Sequence, residues 1–176
     1  MLTLIFPGYS AHNKEWAEEV KKELEPELPV YVHEWLHWPT TDEAIKTSSF
    51  SLKKELKRLT DILDKEKQIN ILAKSVGVYV ALNLIAISER NKFGKVILCG
   101  TATAATGERR ELTKKALEKI PVKNLLCIQN DQDSYVTYKE AEKFYHKINS
   151  KIKIIEKIAR NHNYPYYSDF RKFMTG

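Results

Sequence analysis

One stretch constrains the chain more than any other: Ile69-Asn70-Ile71-Leu72-Ala73-Lys74-Ser75-Val76-Gly77-Val78-Tyr79-Val80-Ala81-Leu82. An apolar run rich in β-branched residues stops at Lys74. A serine follows, a glycine stands two residues on, and the apolar pattern then becomes long and dense enough for a buried helix. The stretch reads as strand, sharp turn, helix, with Ser75 at the corner. Such a corner holds one side chain up and away from the backbone. It also aims the first N–H groups of the helix at the same space, where they lack an intrahelical partner and carry partial positive charge. A hydroxyl and an anion-stabilising donor thus come from adjacent residues. The string Ala73-x-Ser75-x-Gly77 matches the pattern G-x-S-x-G with alanine for the first glycine. Small residues at both places let the strand and helix backbones approach closely. The same five residues could also serve only packing or a helix N-cap, so the rest of the chain must decide.

The 176 residues suit one domain, 1–176, with a sizeable core. No apolar run reaches the length of a membrane span, and Met1-Leu2-Thr3-Leu4-Ile5-Phe6 lacks the basic start and cleavage site of a signal peptide. Cys99 and Cys127 end apolar runs and read as small core residues in a reducing, cytoplasmic setting rather than as a disulfide or metal pair. The formal net charge of +6 comes from lysines spread over helix faces, as at Lys21-Lys22, Lys53-Lys54 and Lys114-Lys115. No basic block is interleaved with exposed aromatics, so a solvated surface is expected and nucleic acid is not.

In chain order, Leu2 to Phe6 reads as a buried strand and Pro7-Gly8-Tyr9-Ser10 as a turn. Asn13 can cap a helix to about Leu24, with Trp16, Ala17, Val20 and Leu24 on one face. Val30 to His33 is a second strand, residues 34–49 are irregular, and Phe50 to about Leu63 is an amphipathic helix. Gln68 to Ala73 is the third strand, followed by the corner and a buried helix to about Glu89. Strands are expected at Lys95–Cys99, Lys123–Gln129 and Lys151–Glu156. Helices are expected at Glu108–Ile120, around Tyr138–Ile148, and at the C-terminus with Pro165 in the first turn. Six strands alternating with helices predict a three-layer α/β/α fold with a mostly parallel sheet.

In such sheets chemistry lies beyond the carboxyl ends of the strands, near the topological switch point. Gly8 and Tyr9 follow the first strand, Ser75 the third, Asp131 and Asp133 the fifth, and His162 the sixth. The chain order Ser, Asp, His is that of one hydrolase fold. On these residues the chain resembles the α/β-hydrolase superfamily, without its leading antiparallel strands, and is most similar to small serine hydrolases of the RBBP9/YdeN type. Pro7-Gly8-Tyr9 resembles the oxyanion loop, Ala73 to Gly77 the nucleophile elbow, Asp133-Ser134-Tyr135-Val136 the acid turn, and Asn161-His162 the histidine loop.

The resemblance implies Ser75 as nucleophile, His162 as base, Asp133 as the acid that orients it, and the backbone N–H groups of Tyr9 and Val76 as oxyanion donors. Asp131 is the alternative acid. The implied activity is a cytoplasmic serine hydrolase acting on a small ester or thioester without metal or cofactor, as a monomer or small homo-oligomer. Gly8, Trp35, His37 and Trp38 are candidates for the pocket wall, although packing on the core suits the tryptophans at least as well, and 101–120 is placed like a cap. Two other readings stand beside this one. The scaffold could be a binding module with little turnover. The string His33-Glu34-x-x-His37 matches a zinc-peptidase motif, which needs one helix turn, yet Pro29, Pro39 and the strand-like Val30-Tyr31-Val32 argue against a helix there.

Overall fold

Six short apolar segments pair into one sheet in the computed structural model, which describes residues 1–38, 50–88, 92–101 and 107–176. The strands are β1 (Leu2–Phe6), β2 (Val30–Val32), β3 (Ile69–Lys74), β4 (Phe93–Cys99), β5 (Leu125–Asn130) and β6 (Lys153–Lys157). Their spatial order is β2-β1-β3-β4-β5-β6, and every neighbouring pair is parallel. Among the described residues the sheet is therefore wholly parallel. The chain runs outward from β1 to β2, then returns to the other side of β1 as β3. The switch point lies between β1 and β3.

Parallel strands need helical crossovers, and these cover both faces. The helices are α1 (Asn13–Leu24), α2 (Leu52–Lys65), α3 (Val76–Ile87), α4 (Gly107–Leu117), α5 (Tyr138–Ile148) and α6 (Tyr167–Thr175). Strand alternation divides the core in two. Leu4, Phe6, Ile71, Ala73, Val96, Leu98 and Cys127 share one cluster with residues of α2, α3, α4 and α5. Ile5, Leu72, Ile97, Cys99 and Ile128 share the other with α1 and α6. Helix α3 is buried nearly all round, as its unbroken apolar sequence predicts.

Several boundaries differ from the sequence reading. Strand β4 starts at Phe93, not Lys95, because Phe93 is buried and pairs with Ile69. The backbone stays extended through Gly94. Helix α6 begins at Tyr167, so Pro165 precedes its first turn. His12, not Asn13, holds the cap position of α1. The expected cap at 101–120 is not one over its described part. Ala116, Leu117 and Ile120 are buried in the main core beside α3, so α4 belongs to the helix layer. Residues 39–49 of the irregular segment, Glu89 and residues 102–106 lie outside the described residues. No described helix is long and apolar enough to cross a membrane.

The register aligns the carboxyl ends: Phe6 pairs with Ala73, Lys74 with Cys99, and Cys99 with Ile128. Loops after β1, β3, β4 and β5 therefore open on one edge. The start of α3 is pressed against the end of β1. A Cβ on Gly77 would stand 2.1 Å from Phe6 O and 2.8 Å from Pro7 O. Both are backbone atoms, so Gly77→Ala must push helix from strand. The substitution is expected to cost about 3 kcal/mol, or about 6–12 °C in Tm for a chain of this size. Thermal unfolding checks it; an unchanged Tm contradicts the close approach.

Candidate active site

Ser75 carries φ 56° and ψ −119°, and is the sole non-glycine residue with positive φ among those described. That conformation costs on the order of 1–3 kcal/mol and persists only where the surroundings impose it. They do so here. The Ser75 N–H donates to Cys99 O at 3.0 Å, continuing the ladder to β4, while Ser75 O accepts from Val78 N at 2.9 Å and starts the helix. Strand and helix thus both end on one residue. Val76 opens α3 immediately beyond it.

His162 leaves the sheet after β6 and meets Asp133, which follows β5. The Nδ1–H donates to Asp133 Oδ2 at 2.6 Å. This assigns the proton to Nδ1 and leaves Nε2 as the acceptor nitrogen, buried and without a partner among the described residues. Asp133 is buried, and its other oxygen accepts the N–H groups of Tyr135 (2.8 Å) and Val136 (3.3 Å). The Tyr164 hydroxyl donates to Oδ2 at 2.5 Å. Burial pushes this carboxyl up, but the hydrogen bonds from His162, Tyr164 and Tyr135 outweigh it and hold it below the usual aspartate range. Burial, together with that carboxylate, pushes the Tyr164 phenol far above its ordinary value, so it remains a donor.

Asp131, the alternative acid, is used elsewhere. Its Oδ1 accepts from Ala159 N at 2.8 Å and secures the loop after β6. Asn130 secures the same loop from inside. It is fully buried, and its Nδ2 donates to Asn161 O (2.8 Å) and Asn163 O (2.9 Å), the carbonyls on either side of His162. Its Oδ1 accepts from the Tyr166 hydroxyl at 2.5 Å. Gly100, with φ 62°, leaves room at the end of β4: a Cβ there would lie 2.5 Å from the Tyr164 ring and 3.0 Å from His162.

Ser75 and His162 line one cleft of about 560 Å³, together with Gly8, Tyr9, Ser10, Lys74, Tyr135 and Tyr164. Tyr135 is largely exposed and packs edge-on to His162 at 4.6 Å. Helix α1 supplies the opposite wall with Asn13 and Trp16. Lys74 is buried there. Its Nζ donates to Asn13 Oδ1 at 2.7 Å and lies 5.3 Å from the centre of the Trp16 ring. Burial pulls this ammonium below the usual lysine range.

Three expected wall residues stand elsewhere. Trp35, His37 and Trp38 do not border this cleft. They are buried, and their ring N–H groups donate to backbone carbonyls of the loop after β1: Trp35 to Gly8 O (3.0 Å), His37 to Tyr9 O (2.7 Å) and Trp38 to Tyr9 O (2.8 Å). The packing of the loop required buried donors, and the ring N–H groups supply them. The zinc-motif geometry also fails. The string from His33 to His37 leaves β2 through a turn and is not helical. The His33 Nε2–H donates to Glu55 Oε2 at 2.8 Å, while His37 stacks on Tyr9. Its two histidines are committed to different partners.

The sequence reading missed Tyr164, Asn130 and the Lys74–Asn13 pair. Two signals were available: Tyr164 stands two residues after His162, and Asn130, with Gln129, is a polar end to a strand that is otherwise apolar.

A serine at a forced corner, and a histidine with its second nitrogen free and its first fixed by a carboxylate, can together perform nucleophilic chemistry. A protein-family model described as serine hydrolase matches residues 3–162. A search of curated proteins finds no match. Among solved structures, an α/β serine hydrolase homologue from Coxiella burnetii superposes with TM-score 0.72 at 16% identity, over 99% of this chain and 83% of that one. Est1E from Butyrivibrio proteoclasticus with ferulic acid bound gives 0.70 at 17%, over 98% and 87%. The ydeN product of B. subtilis gives 0.68 at 15%, over 99% and 98%. At these identities the likeness establishes the fold.

Tyr164→Phe removes one donor from a buried carboxylate. It is expected to cost about 1.5–3 kcal/mol at neutral pH, read by urea unfolding. Asp133 has a depressed pKa, so its contribution is complete above the ordinary aspartate value and is lost as pH falls through the folded-state value. The gap between wild type and variant should therefore narrow across that acid window. A gap that stays constant there contradicts the bond to the carboxylate.

Proposed function

The chain belongs to the serine hydrolase family, and on that premise we propose that it cleaves a small carboxylic ester or thioester through an acyl-enzyme formed on Ser75. The observation that carries the reading is the His162–Asp133 bond of 2.6 Å, with His162 Nε2 unpartnered among the described residues, in the same cleft as the strained Ser75. Ser75 Oγ attacks the substrate carbonyl carbon, and its proton passes to His162 Nε2. Asp133 keeps the imidazole in the tautomer that can accept it and stabilises the imidazolium. The carbonyl oxygen becomes an oxyanion, held by the N–H groups of Tyr9 and Val76 at a worth of about 3–4 kcal/mol per donor. The bond to the leaving group then breaks, and His162 returns the proton to the departing alkoxide or thiolate. Water, deprotonated by the same nitrogen, attacks the acyl carbon; the bond to Ser75 Oγ breaks, His162 returns the proton to Oγ, and the acid leaves.

The cleft volume of about 560 Å³ suits a small substrate. The rings of Tyr9, Trp16, Tyr135 and Tyr164 along it favour a flat or apolar acyl group. Est1E, a structural neighbour, holds ferulic acid, so aromatic acyl esters belong in the substrate panel beside short aliphatic ones. Two buried free cysteines, Cys99 and Cys127, support a reducing, cytoplasmic setting.

A fluorophosphonate should add once to wild-type protein and not to Ser75→Ala, as read by intact mass. With p-nitrophenyl esters, Asp133→Asn should lower kcat by about 10³–10⁴-fold, through loss of the tautomer. Asp131→Asn, whose carboxylate among the described residues bonds to the loop backbone at Ala159 and to Gln132, should stay within about tenfold. An unlabelled, folded wild type would return the chain to the binding-module reading.

A further inference from the structure

We propose that Trp35 is a positioning residue for the oxyanion loop: by holding the Gly8 carbonyl, its indole N–H turns the Tyr9 N–H toward the reacting carbonyl. The inference rests on the reading of Ser75 as nucleophile and extends it to a residue outside the cleft. A trans peptide is planar, with its C=O and the following N–H pointing in opposite directions. No described peptide is cis. The Gly8 carbonyl and the Tyr9 N–H belong to one peptide, so whatever fixes the first fixes the second. Trp35 is buried, and its Nε1 lies 3.0 Å from Gly8 O. The carbonyl therefore faces the interior, and the Tyr9 N–H faces away from Trp35. The next peptide is pinned in the same sense, because Tyr9 O accepts from both His37 and Trp38. A glycine-containing loop can otherwise flip a peptide at little cost.

The turn that carries Trp35 has its own anchor. Glu55 of α2 is fully buried. Its Oε2 accepts from His33 Nε2 at 2.8 Å and Arg58 Nη1 at 2.9 Å, and its Oε1 from Leu36 N at 2.8 Å. Arg58 also donates to Glu34 O at 2.9 Å. Three donors satisfy a carboxylate that would otherwise be costly to bury. The order runs from α2 through Glu55 to the turn, then through Trp35 to the Gly8–Tyr9 peptide. This gives a structural use to the His-Glu-x-x-His string that zinc chemistry does not take up.

A positioning role predicts a transition-state defect. Losing an oxyanion donor outright costs about 10²–10³ in kcat; misaiming one should cost less. In Trp35→Phe, which keeps an aromatic ring but loses the pyrrole half with its N–H, kcat on p-nitrophenyl acetate should fall about 10–100-fold with KM within about twofold. The inhibition constant of an alkyl trifluoromethyl ketone, which forms a tetrahedral oxyanion on the serine, should rise by the same factor. Replacement of the Trp35 indole by benzothiophene keeps the shape and removes only the N–H, and decides the matter if the phenylalanine variant does not fold. Folded variants with kcat and inhibition constant both within about twofold of wild type overturn the proposal, however far Tm falls. Wild type labelled at Ser75 with an unimpaired isostere overturns this inference alone. Wild type that neither labels nor hydrolyses overturns the hydrolase reading and this inference with it.

Discussion

The backbone of Ser75 sits where L-residues are strained, and its neighbours hold it there from three sides. Strand β4 takes its N–H, the first turn of α3 takes its carbonyl, and Gly77 lets that turn press against Phe6 O and Pro7 O. The strain is worth little against the packing that imposes it. Leu72 and Ala73 before the corner, and Val78, Val80 and Ala81 after it, are all fully buried. Burial of that much apolar surface outweighs a few kcal/mol of backbone distortion. The close approach has a second result. It sets the loop after β1 beside the start of α3.

The other half of the site is built by hydrogen bonds rather than by apolar packing. Loops after β5 and β6 would be loose if only their surfaces touched. Asn130 grips the carbonyls on both sides of His162, Asp131 ties down Ala159, and Tyr164 shares the Asp133 oxygen that His162 uses. Asn130, Asp133 and Tyr164 are buried, where a missing partner is expensive. The loop is thereby committed to one arrangement. The parallel register carries the two halves to the same edge, and that shared edge is the condition for any chemistry between them.

Local patterns carried much of this. The six strands were legible because β-branched apolar runs alternate with amphipathic helices. The corner was legible because a serine and a glycine interrupt the longest apolar stretch. Ser75, Asp133 and His162 could be named because each follows a strand. What stayed hidden was contact at long sequence separation. Nothing near Trp35 announces that its N–H meets Gly8 O, 27 residues away, or that Asn130 reaches Asn161 and Asn163. Aromatic residues after a strand read equally well as a pocket wall and as a buttress. Only the fold shows which carbonyls lie within reach of their nitrogens. Asn13 misled for a similar reason. Its side chain suits a helix cap, yet Ser10 and Lys74 claim it instead.

On the proposed function, Ser75, His162 and the loop after β1 form one catalytic centre. The most direct measurement is a crystal structure of the protein after reaction with a fluorophosphonate. That structure should show phosphorus bonded to Ser75 Oγ, its non-bridging oxygen within hydrogen-bond distance of the N–H groups of Tyr9 and Val76, and His162 Nε2 facing the ester oxygens. An adduct on another residue, or a phosphonyl oxygen turned to solvent with both N–H groups empty, would contradict it.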